Sequence, residues 1–198
     1  MIYPIQTFAP KLEYSVSEID YLFSEPTAPI WDRILYYIKK HNSKSIIDVG
    51  CAHGAANKFF TNYDYIYHGV DGCKELIDHA NSNYAEDGIT FEHCDWFDST
   101  TSGPHDCMLL LGVLPYGLSE YGHTRNKSAT DMYQSLVDKY NPTQIIIRET
   151  CKIQNGVEIE LETVDLTPFL EIATDVEYIN VDTILGNKVL INVTRTRT

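Results

Sequence analysis

The sequence predicts an α/β domain: a doubly wound, mostly parallel, seven-stranded sheet with a terminal antiparallel strand and helices on both faces. Three observations predict it. Short runs rich in β-branched and apolar residues alternate with segments of helical periodicity through most of the chain. The run Cys107–Leu111 is apolar at every position, as in a strand buried on both faces. The last two strands are joined through Leu185-Gly186-Asn187 with no helix between them, and so short a connection forces an antiparallel pair.

Taken in order, residues 1–27 hold prolines and scattered aromatics, with a short helix expected at Ser17–Phe23. Pro29–Lys40 is a helix: Ile30, Trp31, Ile34, Leu35 and Ile38 fall on one face, and proline suits the first turn. Asn42-Ser43 ends it. Lys44–Val49 reads as a strand, Ala55–Thr61 as a helix, Tyr65–Val70 as a strand and Lys74–Asn83 as a helix. Ile89–His93 and Cys107–Leu111 are strands. Ala129–Tyr140 is a helix with Met132, Tyr133, Leu136 and Val137 on one face, and Gln144–Arg148 is a strand. Thr167–Ala173 is a short helix opened by Pro168, and Val176–Val181 and Lys188–Thr194 are the closing strands.

The 198 residues form one expected domain: an N-terminal lid and helix (1–43), a core (44–150), and a C-terminal helix with the antiparallel pair (151–198). The 15 Lys and Arg face 28 Asp and Glu, for a net charge of −13 spread along the chain. That balance disfavours nonspecific nucleic-acid binding, which needs cations to displace counterions, and disfavours an anionic membrane surface. The five cysteines form no C-x-x-C pair and sit in or beside apolar runs, as reduced, buried thiols do. With no basic-then-apolar leader and no apolar run long enough to span a bilayer, a cytoplasmic protein is expected. Oligomeric state is left open.

The chemistry concentrates in Ser45-Ile-Ile-Asp-Val-Gly-Cys-Ala-His-Gly54. A buried strand ends in an acid, then a glycine-bearing turn opens a helix. Gly50 and Gly54 lack the Cβ that would keep a ligand from the backbone, and the helix start offers free N–H groups. The dinucleotide pattern G-x-G-x-x-G fails here, because Ala52 and Ala55 stand where its later glycines belong, and the phosphate-loop pattern is absent. Asp48-Val49-Gly50-Cys51-Ala52-His53-Gly54 instead resembles the first motif of class I S-adenosylmethionine-dependent methyltransferases, Asp/Glu-x-Gly-x-Gly-x-Gly, with Ala52 replacing the middle glycine.

Three more segments extend the resemblance. Tyr67-His-Gly-Val-Asp71 is a strand ending in an acid, followed by Gly72, at the distance expected of a carboxylate that accepts from both ribose hydroxyls. Phe91-Glu-His-Cys-Asp95-Trp96 is a third strand ending in an acid. The resemblance implies that Asp95 meets the adenine amino group and Trp96 packs on the ring. In the stretch from Pro104 to Tyr116, Leu111, Gly112 and Val113 would lie beside the methionine part of the cofactor. Cys51, Ala52 and His53 would contact it through the turn, His53 by its backbone. The resemblance spans roughly residues 30–194 and implies S-adenosylmethionine as cofactor; no metal is expected, since no acid pair stands at positions suited to a metal-dependent catechol-type site.

The acceptor site would be built from the loops after the fourth and fifth strands, with the N-terminal segment as lid. Those loops offer Tyr116, Tyr121, His123 and Arg125, and the fifth strand ends in Arg148-Glu149. His123 is the first candidate base because imidazole titrates near neutrality, and Glu149 is the second. Arg125 and Arg148 would hold an anionic group, and Tyr14 and Tyr21 would close over the site. The Asn/Asp-Pro-Pro-Tyr signature of amino-methylating enzymes is not met by Val113-Leu-Pro-Tyr116. A small-molecule acceptor with an O or N nucleophile is the leading expectation. The alternatives are methylation of RNA or protein with a partner, and a noncatalytic cofactor-binding or interaction module.

Overall fold

A computed structural model describes residues 28–54, 56–57, 64–114, 128–154, 157–159, 166–179 and 187–196. The elements are α1 (Ala28–Lys40), β1 (Ser45–Val49), β2 (Ile66–Asp71), α2 (Lys74–Asn83), β3 (Ile89–His93), β4 (Cys107–Leu111), α3 (Ala129–Tyr140), β5 (Gln144–Gln154), β6 (Val157–Ile159), α4 (Thr167–Glu171), β7 (Asp175–Ile179) and β8 (Asn187–Thr194). The strands run in the order β3-β2-β1-β4-β5-β8-β7, with β6 paired to β5 off this path. β1 to β5 pair in parallel, and β8 lies antiparallel to both of its neighbours, β5 and β7. The expected seven-stranded sheet and its reversed strand are therefore present.

Two cores sit on the two faces. Alternate residues of β1, Ile47 and Val49, join Met108, Leu110, Ile145 and Ile147 against α3 and α4. Ile46, Leu109 and Ile146 face the other way, against α1 and α2. α1 buries Ile30, Trp31, Ile34, Tyr37 and Ile38, each at most 4% exposed, so its one apolar stripe is spent on the sheet. α3 is capped by Ser128, whose side chain accepts from the Asp131 amide at 3.1 Å, and it ends in left-handed Asn141.

The chain proceeds from β1 outward to β2 and β3, then returns to β4 and proceeds the other way to β5. The direction reverses between β1 and β4. In open parallel sheets that reversal opens a crevice at the carboxyl ends of the strands, where ligands bind.

A seam of polar groups joins the first helix to the last strands. Gln144 donates to the Tyr37 carbonyl at 3.1 Å and to the Asn192 side chain at 2.9 Å, and accepts from Ser43 at 2.8 Å. Asn192 donates to Asp175 at 3.1 Å. Glu177 of β7 receives Arg33 Nε at 2.6 Å and the Tyr37 hydroxyl at 2.5 Å. Because the carboxyl end of α1 meets the start of β5, the helix runs antiparallel to the strands. Its first turn, at Ile30 and Trp31, therefore lies toward their carboxyl edge.

Several boundaries move by a residue or two from expectation, and the fifth strand moves further. β5 continues to Gln154 rather than stopping at Arg148, because β8 backs it through eight register pairs, from Gln144↔Thr194 to Cys151↔Asn187. The extension then folds back into β6 through Lys152↔Ile159, a hairpin that the mixed polar composition of the segment did not announce. The expected helices Ser17–Phe23 and, apart from a short turn at Ala56-Asn57, Ala55–Thr61 lie outside the described residues. Among the described residues no helix is long and apolar enough to cross a membrane.

Candidate active site

The turn after β1 has three residues of positive φ at alternate positions: Gly50 at 75°, Ala52 at 52° and Gly54 at 76°. The glycines answer to this conformation and to packing. A Cβ on Gly50 would overlap the Val113 side chain, and one on Gly54 would come within 2.6 Å of the Phe91 ring. Bare backbone is thus needed on the protein side of the turn, where the sequence alone pointed only to a ligand's approach. Gly50 and Cys51 donate to the Val70 carbonyl at 2.8 and 3.1 Å, fastening the turn to β2. Cys51 is buried in the space Gly69 leaves: a Cβ at Gly69 would stand 2.7 Å from its sulfur. The His53 ring is fully buried and stacks on His79 of α2, with centroids 5.7 Å apart.

Asp71 ends β2 beside this turn. One oxygen accepts from the Ala52 amide at 2.9 Å and the other from the Cys73 amide at 2.8 Å. Burial raises its pKa, a shift the two amides oppose without cancelling. A carboxylate offers about four acceptor sites, so each oxygen retains a lone pair for a hydroxyl. Space is available, since a Cβ at the exposed Gly72 would meet nothing within 4 Å.

Asp48 behaves differently. It is 2% exposed and accepts from the Tyr67 hydroxyl at 2.5 Å, while its second oxygen has no hydrogen-bond partner. Burial pushes its pKa to about 7; Tyr67 and the Arg148 charge lower it and Asp71 raises it. Asp48 sits within the sheet, on the face that carries Ile46 and Tyr67.

After β3, Asp95 accepts from the Phe97 amide at 2.9 Å and so bends its own loop. Trp96 is 7% exposed and packs into the core with Val113, behind the glycine turn. The loop is held from outside. Tyr140 donates to the Trp96 carbonyl at 2.8 Å, and Lys139 donates to the Phe97 and Ser99 carbonyls at 3.2 and 2.8 Å. Glu92 accepts from the Ser99 hydroxyl at 2.6 Å and the Thr100 amide at 2.9 Å. Burial pushes the Glu92 carboxyl up, but these bonds and one from His68 outweigh it and bring it down to about 2. Sequence reasoning passed over Glu92, Lys139 and Tyr140. A carboxylate inside a strand just before a Ser/Thr-bearing loop was the available signal.

At the end of β4, Leu111 and Gly112 are partly exposed and Val113 is buried against the turn. Gly112 has φ 79° and donates to the Arg148 carbonyl at 2.7 Å. Arg148 returns a hydrogen bond, from Nη2 to the Leu111 carbonyl at 2.8 Å. Burial lowers the Arg148 pKa, opposed by Glu149 and Asp48. Glu149 is 4% exposed and accepts from the Leu114 amide at 3.3 Å, so it braces the turn after β4. That placement suits support more than the proton transfer expected of a second candidate base. The expected site residues Tyr14, Tyr21, Tyr116, Tyr121, His123 and Arg125 lie outside the described residues.

No family model matches the sequence, and no curated protein matches it. Solved structures do. Magnesium protoporphyrin IX methyltransferase (ChlM) from Synechocystis, with bound S-adenosylhomocysteine, aligns at TM-score 0.64 and 13% identity over 86% of this chain and 84% of that one. The N-methyltransferase NodS from Bradyrhizobium japonicum aligns at 0.61 and 16%, over 88% and 99%. The Burkholderia thailandensis 1,6-didemethyltoxoflavin N1-methyltransferase aligns at 0.62 and 13%, over 91% and 83%. With a glycine turn at the sheet's point of reversal and acids at the end of β2 and just after β3, this chain has the fold of the class I S-adenosylmethionine-dependent methyltransferases.

Proposed function

We propose that the protein is an S-adenosylmethionine-dependent methyltransferase that acts on a small molecule through an O or N nucleophile. The observation that carries this reading is the pairing of the positive-φ turn Gly50–Gly54 with Asp71, one of whose oxygens grips the turn at Ala52 while the other accepts from Cys73, both with lone pairs still to offer. The residues fit the cofactor: Asp71 for the ribose hydroxyls with open space at Gly72, the loop at Asp95 for the adenine, and Leu111–Gly112 for the methionine part. The cofactor supplies a methyl group on a sulfonium, open to in-line attack.

The protein's task is alignment. Asp71 and the turn fix one end of the donor, and the rigid ends of β1 and β4 fix its height above the sheet. Holding two reactants in line removes most of the entropic barrier of such a displacement. His123 remains the proposed base for acceptors that must lose a proton. The ChlM, NodS and toxoflavin enzymes are named for methylation reactions, and the first and last of these names specify small molecules. A net charge of −13 supports the same class over a polyanionic acceptor.

Calorimetry tests the cofactor. The wild type should bind S-adenosylhomocysteine, and Asp71→Ala should weaken that binding at least about tenfold, or 1.4 kcal/mol. A wild type that does not bind defeats the reading. Labelled methyl transfer into a cell extract tests the acceptor: label confined to RNA or protein defeats the small-molecule assignment.

A further inference from the structure

Arg148 is a buried guanidinium that forms no ion pair among the described residues, although the charges of Glu149 and Asp48 act on it. It lies at the carboxyl end of β5, where Nη2 donates to the Leu111 carbonyl at 2.8 Å. A Cβ on Gly112 would come within 3.0 Å of that same nitrogen, so the bare backbone of Gly112 leaves the guanidinium its place. Nε is buried and has no hydrogen-bond partner. Among the described residues no carboxylate forms an ion pair with it: Asp48 is engaged by Tyr67 and Glu149 by the Leu114 amide. A buried cation with unused donors costs stability, and a fold keeps such a group cheaply only where an anion arrives to meet it.

Position identifies which anion. Asp71 at the end of β2 and the turn at the end of β1 mark the cofactor's side of the crevice. Arg148 stands on the other flank of β4, and two strand spacings separate β5 from β1, about 10 Å. Strand parity places Arg148 on the face of Ile146, which α1 covers with its first turn toward this edge. A methyl acceptor must approach the sulfonium from this flank.

Resting on the methyltransferase reading, we infer that the acceptor carries a carboxylate or phosphate group and that Arg148 receives it. The forked guanidinium presents Nε and its remaining Nη hydrogens to two oxygens at once, geometry that lysine lacks. An anionic acceptor entering an otherwise acidic protein then finds an attractive point at Arg148. That point fixes which of its atoms faces the methyl group.

The test follows thermal unfolding of the protein saturated with S-adenosylhomocysteine, titrated with benzoate, phenyl phosphate or neutral benzamide. At least one anion should raise the Tm by about 3 °C or more, and benzamide should not. Arg148→Gln should lose the shift, Arg148→Lys should keep part of it, and both should bind S-adenosylhomocysteine within about twofold of wild type. An equal shift in Arg148→Gln, or no shift with either anion in a wild type that binds S-adenosylhomocysteine, overturns the inference. A tenfold loss of S-adenosylhomocysteine affinity in Arg148→Gln also overturns it, assigning the guanidinium to the cofactor's own carboxylate. If the wild type does not bind S-adenosylhomocysteine, the cofactor reading is what fails. An anion shift on the protein alone, abolished in Arg148→Gln, would then still support an anion site at Arg148, and its absence would defeat that too.

Discussion

Ala52 occupies a left-handed conformation, φ 52°, that the flanking glycines adopt without strain. For an L-residue that region costs about 1–2 kcal/mol, whereas glycine loses about 0.5–1 kcal/mol of chain entropy on being fixed. The difference is small and favours glycine. Ala52→Gly should therefore leave stability unchanged or raise it by up to about 1 kcal/mol in denaturant unfolding. A loss of more than about 1 kcal/mol would mean that the alanine methyl packs against something essential. Asp48 makes a pH-dependent prediction. Its carboxyl rises from 3.8 to about 7 on folding. Between those values the folded state holds a proton that the unfolded chain has released, so stability falls as pH rises from about 4 to about 7. Asp48→Asn, which has no proton to lose, should gain on the wild type across that interval when both are unfolded in urea at stepped pH. A constant difference would show that Asp48 is ionised in the fold.

At the scale of elements, the loop after β3 is held by residues outside it, and Glu92 carries much of the hold. Its carboxyl falls from 4.5 to about 2 on folding, so its contribution is complete above 4.5 and is lost as pH drops through about 2. Glu92→Gln should cost up to about 3 kcal/mol at neutral pH, with the deficit shrinking below pH 4. It should also loosen amide exchange at Ser99–Thr101; unchanged exchange would put the loop's anchorage on Lys139 and Tyr140. Local spacing made much of this architecture legible. The alternation of strand and helix, the acids at strand ends and the final reversal are all written within short stretches of chain. Distant neighbours wrote the rest. Nothing near Gly50 or Gly54 says that Val113 and Phe91, from later in the chain, stand behind them. Nothing in Glu149-Thr150-Cys151 says that β8 backs an extended β5. Glu149 reads as a candidate base in sequence and is a buried brace in the fold, because Leu114 reaches it only once β4 and β5 pair.

At the scale of the whole molecule, the site gathers groups from β1, β2, β4 and β5 at the one place where the winding reverses. The scaffold beneath it is closed by the polar seam between α1 and β7. The paired residues of that seam, Arg33 with Glu177 and Tyr37 with Glu177, lie 144 and 140 positions apart. That separation governs the order in which a growing chain can finish. While the polypeptide emerges from the ribosome, α1 is made first, yet both the cleft between β5 and β7 and the strand that fills it, β8, come last. Until almost the final residue is free, the first helix can pack only on β1, β4 and β5, without Leu190 of β8 or its latch to Glu177. Nascent chains arrested before Asp175 should be cut by protease within α1, and chains released beyond Thr194 should resist. Resistance in the shorter chains would show that the helix docks without its latch. The seam thus acts as a completion check, since a chain that stops short never latches its own beginning.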